Sequence, residues 1–156
     1  MTENKIEPVY FYEREFYVFS NFSSFSIIWN NKLYPTSEHV YHSEKFLDDT
    51  MKELIRTTRS AHDALKVSHQ FVDQYRSDWN SVKLDIMKEI LIAKVEQHPY
   101  VRKKLLESGT RELIEDSWRD DFWGWGPNKD GNNHLGKLWM EVRSIFQSQQ
   151  NNTEVK

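Results

Sequence analysis

SDWNSVKLDIMKEILIAKVEQHPYVRKKLLESG, Ser77–Gly109, is the stretch on which the fold assignment turns. Val82, Ile86, Ile90 and Ala93 recur at spacings of three and four, the period of an α-helix with one apolar face. Ser77 is suited to cap its start, so a long helix is expected from about Asp78 to Gln97. Pro99 then suits the first turn of a second helix, and Gly109 its left-handed end.

Toward the N-terminus, Met51–Thr57 and Ser60–Phe71 read as two shorter helices. Before them, Val9–Leu33 is rich in Phe, Tyr, Val and Ile. VYFY and FSIIW there read as short strands, with SNFSS and NNK as turns. Toward the C-terminus, RELIEDS reads as a short strand or a turn, and WGWGPNKDGNN, crowded with Gly, Asn and Pro, as a loop. A last helix is expected from about Leu135 to Phe146, with Leu138, Val142 and Ile145 as its apolar stripe. From Gln147 the chain is a polar tail, expected to fray. The expectation is therefore a mainly α fold: one compact helical domain over 9–146 with a small N-terminal β element, between a flexible segment 1–8 and the tail 147–156.

The bulk properties limit function. The 156 residues are 38% hydrophobic and 29% charged, with a net charge of −3. That is a globular composition, without a basic run for gripping duplex nucleic acid; a nucleotide held in a pocket remains allowed. There is no cysteine, which removes disulfides, thiolate zinc sites and a cysteine nucleophile. No segment approaches the ~20 apolar residues of a membrane span, and MTENKIEPVYFYERE lacks the plan of a signal peptide. A cytoplasmic location is the expectation. Aromatic residues make up 14%, with six Trp, three of them between 118 and 125. Rings of this size fill cores, and they also stack on bases and sugars.

Two constellations carry candidate chemistry. The first is PTSEHVYHSEKF, Pro35–Phe46, where Thr36 or Ser37 can cap a helix. Glu38, His42 and Lys45 follow at spacings of four and three, within roughly a 60° arc of that helix. Val40 and Leu47 fall on the opposite face, toward the core. Such a stripe is either a solvated surface with weak i,i+3 and i,i+4 pairs or the wall of a pocket. In a pocket, Glu38 could act as acid or base and Lys45 could meet a phosphate or a carbonyl carbon. The second is LIEDSWRDDFWGWG, Leu113–Gly126, which sets Glu115, Asp116, Asp120 and Asp121 beside four large aromatic residues. It is either an acidic connector whose rings fill the core or a chemical loop. Its carboxylates and amides would suit magnesium or calcium, yet KDGNN lacks EF-hand spacing, and the six histidines form no zinc pattern. No phosphate-binding glycine loop or nucleophile elbow is present. No metal and no cofactor are therefore expected.

Taken together, FSNF (Phe19–Phe22), YPTSEHVYHSEKF (Tyr34–Phe46), LIEDSWRDDFWGWG and GNNHLGKLWMEVR (Gly131–Arg143) resemble the YbiA-like family, the NADAR superfamily. The motifs are P-T-x-E-H with a Lys seven residues after the Glu, E-x4-D-x2-W-G, and G-x-N-x-L-G-x-x-x-M-x-x-R. The resemblance spans about 130 residues and implies a small, mainly α-helical N-glycosidase. Some members are linked to early riboflavin-biosynthesis intermediates, where the bond cut joins a pyrimidine amine to ribose 5-phosphate. Others remove ADP-ribose from guanine bases. The implied partner is a small nucleotide-sugar substrate, or ADP-ribosylated nucleic acid in the second branch. The resemblance implies Glu38, Lys45 and Asp120 as catalytic, and Asn21, Trp123, Asn133 and Arg143 as substrate-binding; His42, on the stripe with Glu38, is expected beside them as substrate-binding. One departure is HSE at 42–44, where the family more often shows Gln-Ala.

On these residues Glu38 would move protons, Asp120 would orient sugar hydroxyls or stabilise C1, and Trp123 would stack on base or ribose. Lys45 would either hold a phosphate as a cation or, as a neutral amine, form a Schiff base with the opened sugar. Two other readings stand beside this one: a non-catalytic nucleotide or ADP-ribose binding module, and a helical interaction protein without a pocket.

Overall fold

The computed structural model describes residues 6–11 and 14–154, the side chains of 14, 15 and 152–154 excepted. Helices dominate: α1 Ser37–Ser43, α2 Asp49–Arg56, α3 Ala61–Gln70, α4 Trp79–Gln97, α5 Pro99–Glu107 and α6 His134–Glu154. The strands are short: β1 Val9–Tyr10, β2 Ile27–Trp29, β3 Lys32–Tyr34 and β4 Leu113–Ile114. The mainly α expectation is met. The chain forms two compact units, one spanning Asn21–Pro99, the other combining the chain up to Ser20 with everything from Tyr100.

In the Asn21–Pro99 unit, β2 and β3 form an antiparallel hairpin that pairs Ile28 with Leu33 and Trp29 with Lys32. Asn30 and Asn31 turn it with φ of 50° and 65°, a left-handed pair that asparagine tolerates best among non-glycine residues. Thr36 caps α1 by accepting from the His39 amide; Asp48 and Ser60 cap α2 and α3 in the same way. These side chains satisfy donors that a helix start leaves unpaired. Helix α1 packs against α2, α3, α4 and the hairpin. All seven of its residues are buried. A tight apolar cluster of Phe46, Met51, Ile55 and Ala64 lies beside it, with Val67, Phe71 and Tyr75 against its edge.

Two expectations for this unit need correction. Helix α1 stops at Ser43 with Glu44 as its C-cap, so Lys45 lies in the turn that follows and Leu47 is 70% exposed. The chain needs that turn to bring Asp48 to the start of α2, and a helix running through Leu47 would forbid it. The buried face of α4 is also rotated from the expected one. Trp79, Met87, Ile90, Leu91, Lys94 and Val95 are inside, while Val82, Ile86 and Ala93 are only half-buried. Ile90, Leu91, Ile92 and Ala93 are four apolar residues in a row that cover every side of the helix, so the period leaves the phase of the stripe open. The long helix itself starts and ends where expected, but its N-cap is Asp78 and not Ser77, and the Asp78 side chain makes no cap bond.

In the other unit, β1 pairs in parallel with β4, Val9 opposite Leu113 and Tyr10 opposite Ile114. This joins segments about a hundred residues apart, a pairing that short-range patterns do not announce. Helix α5 begins at Pro99 and ends before Gly109, whose φ is 60°. Helix α6 packs on β4 and buries Leu135, Trp139, Val142 and Phe146. It runs to Glu154, beyond the expected end at Phe146. Gly136 lies where α6 meets β4. A Cβ there would collide with the Leu113 carbonyl oxygen and the Asn133 side chain, which is the physical content of the second glycine in G-x-N-x-L-G.

Candidate functional site

The stripe on α1 is not a solvated surface. Glu38 is 7% exposed, His42 1% and Lys45 5%. Burying a carboxylate, an imidazole and an amine within two turns costs several kcal/mol unless the groups serve one another. The i,i+4 spacing sets His42 Nε2 at 2.6 Å from Glu38 Oε1, a short hydrogen bond. Asn21, the third residue of FSNF, anchors the start of this helix. Its backbone carbonyl accepts from the Glu38 amide at 3.1 Å, and its Oδ1 accepts from Ser37 Oγ at 3.0 Å. Its Nδ2 donates to Met87 Sδ at 3.5 Å.

Lys45 has a different environment. Its Nζ sits 5.1 Å from the centroid of the Tyr41 ring and 4.9 Å from that of Tyr75. Among the described residues its one hydrogen-bond partner is the Tyr75 hydroxyl at 3.5 Å, and no carboxylate lies within ion-pair distance. The Tyr75 hydroxyl in turn shares a hydrogen bond of 2.9 Å with Ser68. Burial pulls the Lys45 pKa down to about 8, opposed by the negative charge of Glu38 and helped by the positive charge of Lys83. At neutral pH the amine is thus still mostly the cation, with a neutral fraction far above that of a free lysine, and it is surrounded by ring faces, which attract it as a cation without neutralising it. His69 completes the surroundings: its ring centroid is 6.2 Å from that of His42, and its pKa is lowered by burial and by Lys45.

Other residues of Pro35–Phe46 are structural. His39 bonds through both ring nitrogens, Nδ1 to Thr36 Oγ1 at 2.7 Å and Nε2 to the Thr58 carbonyl at 3.2 Å. Glu44 Oε1 accepts from Trp29 Nε1 at 3.0 Å and Lys52 Nζ at 3.3 Å.

The second constellation lies in the unit that contains α6. Asp120 Oδ1 accepts the amides of Phe122 at 2.9 Å and Trp123 at 2.8 Å, so this carboxylate organises its own turn. The Trp123 ring stands edge-on to Phe122, centroids 4.9 Å apart. Asn133, at φ 50°, accepts from the Glu115 amide at 2.9 Å and donates to the Leu113 carbonyl at 3.0 Å. It stitches the loop to β4. Arg143, further along α6, donates to Ser108 Oγ at 3.0 Å and the Arg111 carbonyl at 2.7 Å, closing the end of α5. Trp125 Nε1 donates to Asp116 at 2.8 Å.

Of the residues expected at a site, Asn21, Glu38, His42 and Lys45 come together in one unit. Asp120, Trp123 and Asn133 share a loop in the other, with Arg143 at the end of α5. Sequence reasoning missed Ser68, His69 and Tyr75. They lie on α3 and in the short connection after it, where no spacing marks them. Tyr41 stood inside the quoted stretch without an assigned part.

The NADAR domain matches residues 10–147. N-glycosidase YbiA of Shigella boydii serotype 4 (strain Sb227) is 40% identical over 125 residues, covering 80% of this chain and 78% of that one. The riboflavin biosynthesis protein VVA0006 of Vibrio vulnificus (strain YJ016) is 34% identical over 143 residues, 90% of this chain but 39% of that longer protein. The NMR structure of the Escherichia coli protein YbiA superposes with a TM-score of 0.85 at 35% identity, covering 92% of this chain and 87% of the other. The chain belongs to the NADAR family, and with it to the N-glycosidases, hydrolases of N-glycosidic bonds. Among the described residues no helix is long and apolar enough to cross a membrane.

Proposed function

We propose that the chain hydrolyses the bond between C1 of a ribose 5-phosphate and an amine of a pyrimidine, as in the aminouracil ribosyl phosphates of early riboflavin biosynthesis. The observation that carries this reading is the buried trio on and just after α1: a carboxylate bonded to an imidazole, near an amine that has no anionic partner. The riboflavin-biosynthesis name of the Vibrio relative supports the choice of glycoside.

Breaking a ribosyl C–N bond develops positive charge at C1, and a nearby carboxylate stabilises it. The same carboxylate can take a proton from the attacking water and pass it to the departing nitrogen. The sum is water added across the bond: hydroxyl on C1, hydrogen on the amine. Glu38 has this role. Lys45, uncompensated and close to Glu38, is placed for the substrate's phosphate or for C1 of the opened sugar. Its pKa near 8 separates the two. Turnover that needs the neutral amine rises as pH passes upward through about 8; turnover that needs the cation falls over the same interval.

The test is release of free base from 5-amino-6-ribosylaminouracil 5-phosphate, run beside ADP-ribosylated guanosine, with Glu38→Gln as control. Release from the aminouracil alone, abolished by Glu38→Gln in a protein with an unchanged melt, is expected. Release only from the guanosine moves the chain to the ADP-ribose branch. Ligand-raised melting without product from either makes it a binding module.

A further inference from the structure

His42 uses one of its two ring nitrogens. It is 1% exposed, and among the described residues its Nδ1 has no hydrogen-bond partner. Its neighbour His39, equally buried, satisfies both nitrogens. For a buried imidazole this asymmetry decides the tautomer. An unmet lone pair is tolerated better than an unmet N–H, and a second proton would sit on Nδ1, for which the described residues provide no acceptor. The proton therefore belongs on Nε2, where it is donated to Glu38 Oε1 at 2.6 Å. Among the described residues Oε1 is the one oxygen of that carboxylate with a partner.

We propose that His42 is a positioning residue: as the neutral Nε2–H tautomer it pins Glu38 Oε1 and presents the other oxygen, unprotonated, as the proton acceptor of the reaction. This rests on the reading of Glu38 as the group that moves protons. The amide nitrogen of Gln lies the same number of bonds from Cα as Nε2 of His and carries the same donor. Asn reaches only as far as Nδ1, the nitrogen that bonds to nothing.

Two measurements test it. Nitrogen-15 NMR of imidazole-labelled protein, assigned through His42→Gln, should show Nδ1 of His42 as the pyridine-type nitrogen and Nε2 as the pyrrole-type. A proton on Nδ1 overturns the proposal whatever the substrate. In steady-state kinetics on the aminouracil ribosyl phosphate, or on ADP-ribosylated guanosine if that is the one turned over, His42→Ala and His42→Asn should lose about 10–100-fold in kcat with KM little changed, the usual cost of removing a group that orients a reacting one. His42→Gln should recover most of that loss. Equal loss in all three folded variants overturns the proposal and leaves Glu38 as the reacting group. A Glu38→Gln protein that still turns over sinks the Glu38 reading and leaves the tautomer standing.

Discussion

The α1 stripe and the Asp120–Asn133 loop contain the same kinds of side chain and use them in opposite ways. In the loop, polar atoms are committed to backbone: Asp120 to two amides, Asn133 to an amide and a carbonyl, and Arg143 on α6 to a carbonyl and a hydroxyl. On α1 and the turn after it, Glu38, His42 and Lys45 meet one another or ring faces, and capacity remains. A polar residue whose bonds go to backbone holds a shape. A buried one with bonding capacity left over is available for chemistry, and the fold meets the cost of burying it.

That contrast can be broken in several ways. The largest effect is expected for Glu38→Gln: a fall of about 10²–10⁴ in kcat, the span of a lost proton transfer, with the melt held. A comparable loss of kcat from Asp120→Asn, which retains Oδ1 and its two amide bonds, would erase the distinction drawn here. Next comes Asn133→Ala, which strips partners from the Glu115 amide and the Leu113 carbonyl and places alanine at φ 50°. A destabilisation of about 2–4 kcal/mol in urea is expected from two orphaned groups and a strained backbone. Asp120→Ala, which leaves two half-buried amides without their acceptor, should cost about 1–2 kcal/mol in the same measurement.

A separate, pH-dependent effect concerns Lys94, fully buried on α4, where Nζ donates to Ser23 Oγ at 2.9 Å. Burial drops its pKa to about 7, against 10.5 in the unfolded chain. Between pH 7 and about 10 the unfolded chain binds the extra proton, so stability rises with pH in that window. Lys45, lowered to about 8, acts with the same sign. Lys94→Met should therefore stabilise the protein more at pH 7 than at pH 10, read as a difference in melting temperature. An advantage that grows with pH would contradict the sign.

Local chemistry made much of this molecule legible in advance. Thr36, Pro99, Gly109 and the Asn30–Asn31 turn each act within a few residues, so α1, α5 and the turn after β2 could be placed from them, while β3 and the cap at Ser60 went unread. The resemblance of four separated motifs reached the family, and the structure and the relatives agree with it. Less legible were events set by packing. The phase of α4 could not be read from a run of apolar residues, nor could the end of α1 from a stripe that continues on paper to Leu47. The β1–β4 pairing joins distant segments, and Tyr75 meets Lys45 only because α3 folds back along α1.

The sequence by itself determined which residues can start and stop helices and which residue types could move a proton, because propensity, capping and side-chain chemistry are properties of a residue and its near neighbours. Only the tertiary structure decided that Glu38, His42 and Lys45 are buried while Leu47 is not, and that Asp120 and Asn133 are committed to backbone. Burial and the allocation of hydrogen bonds depend on what the rest of the chain brings against a side chain, and no local pattern contains that.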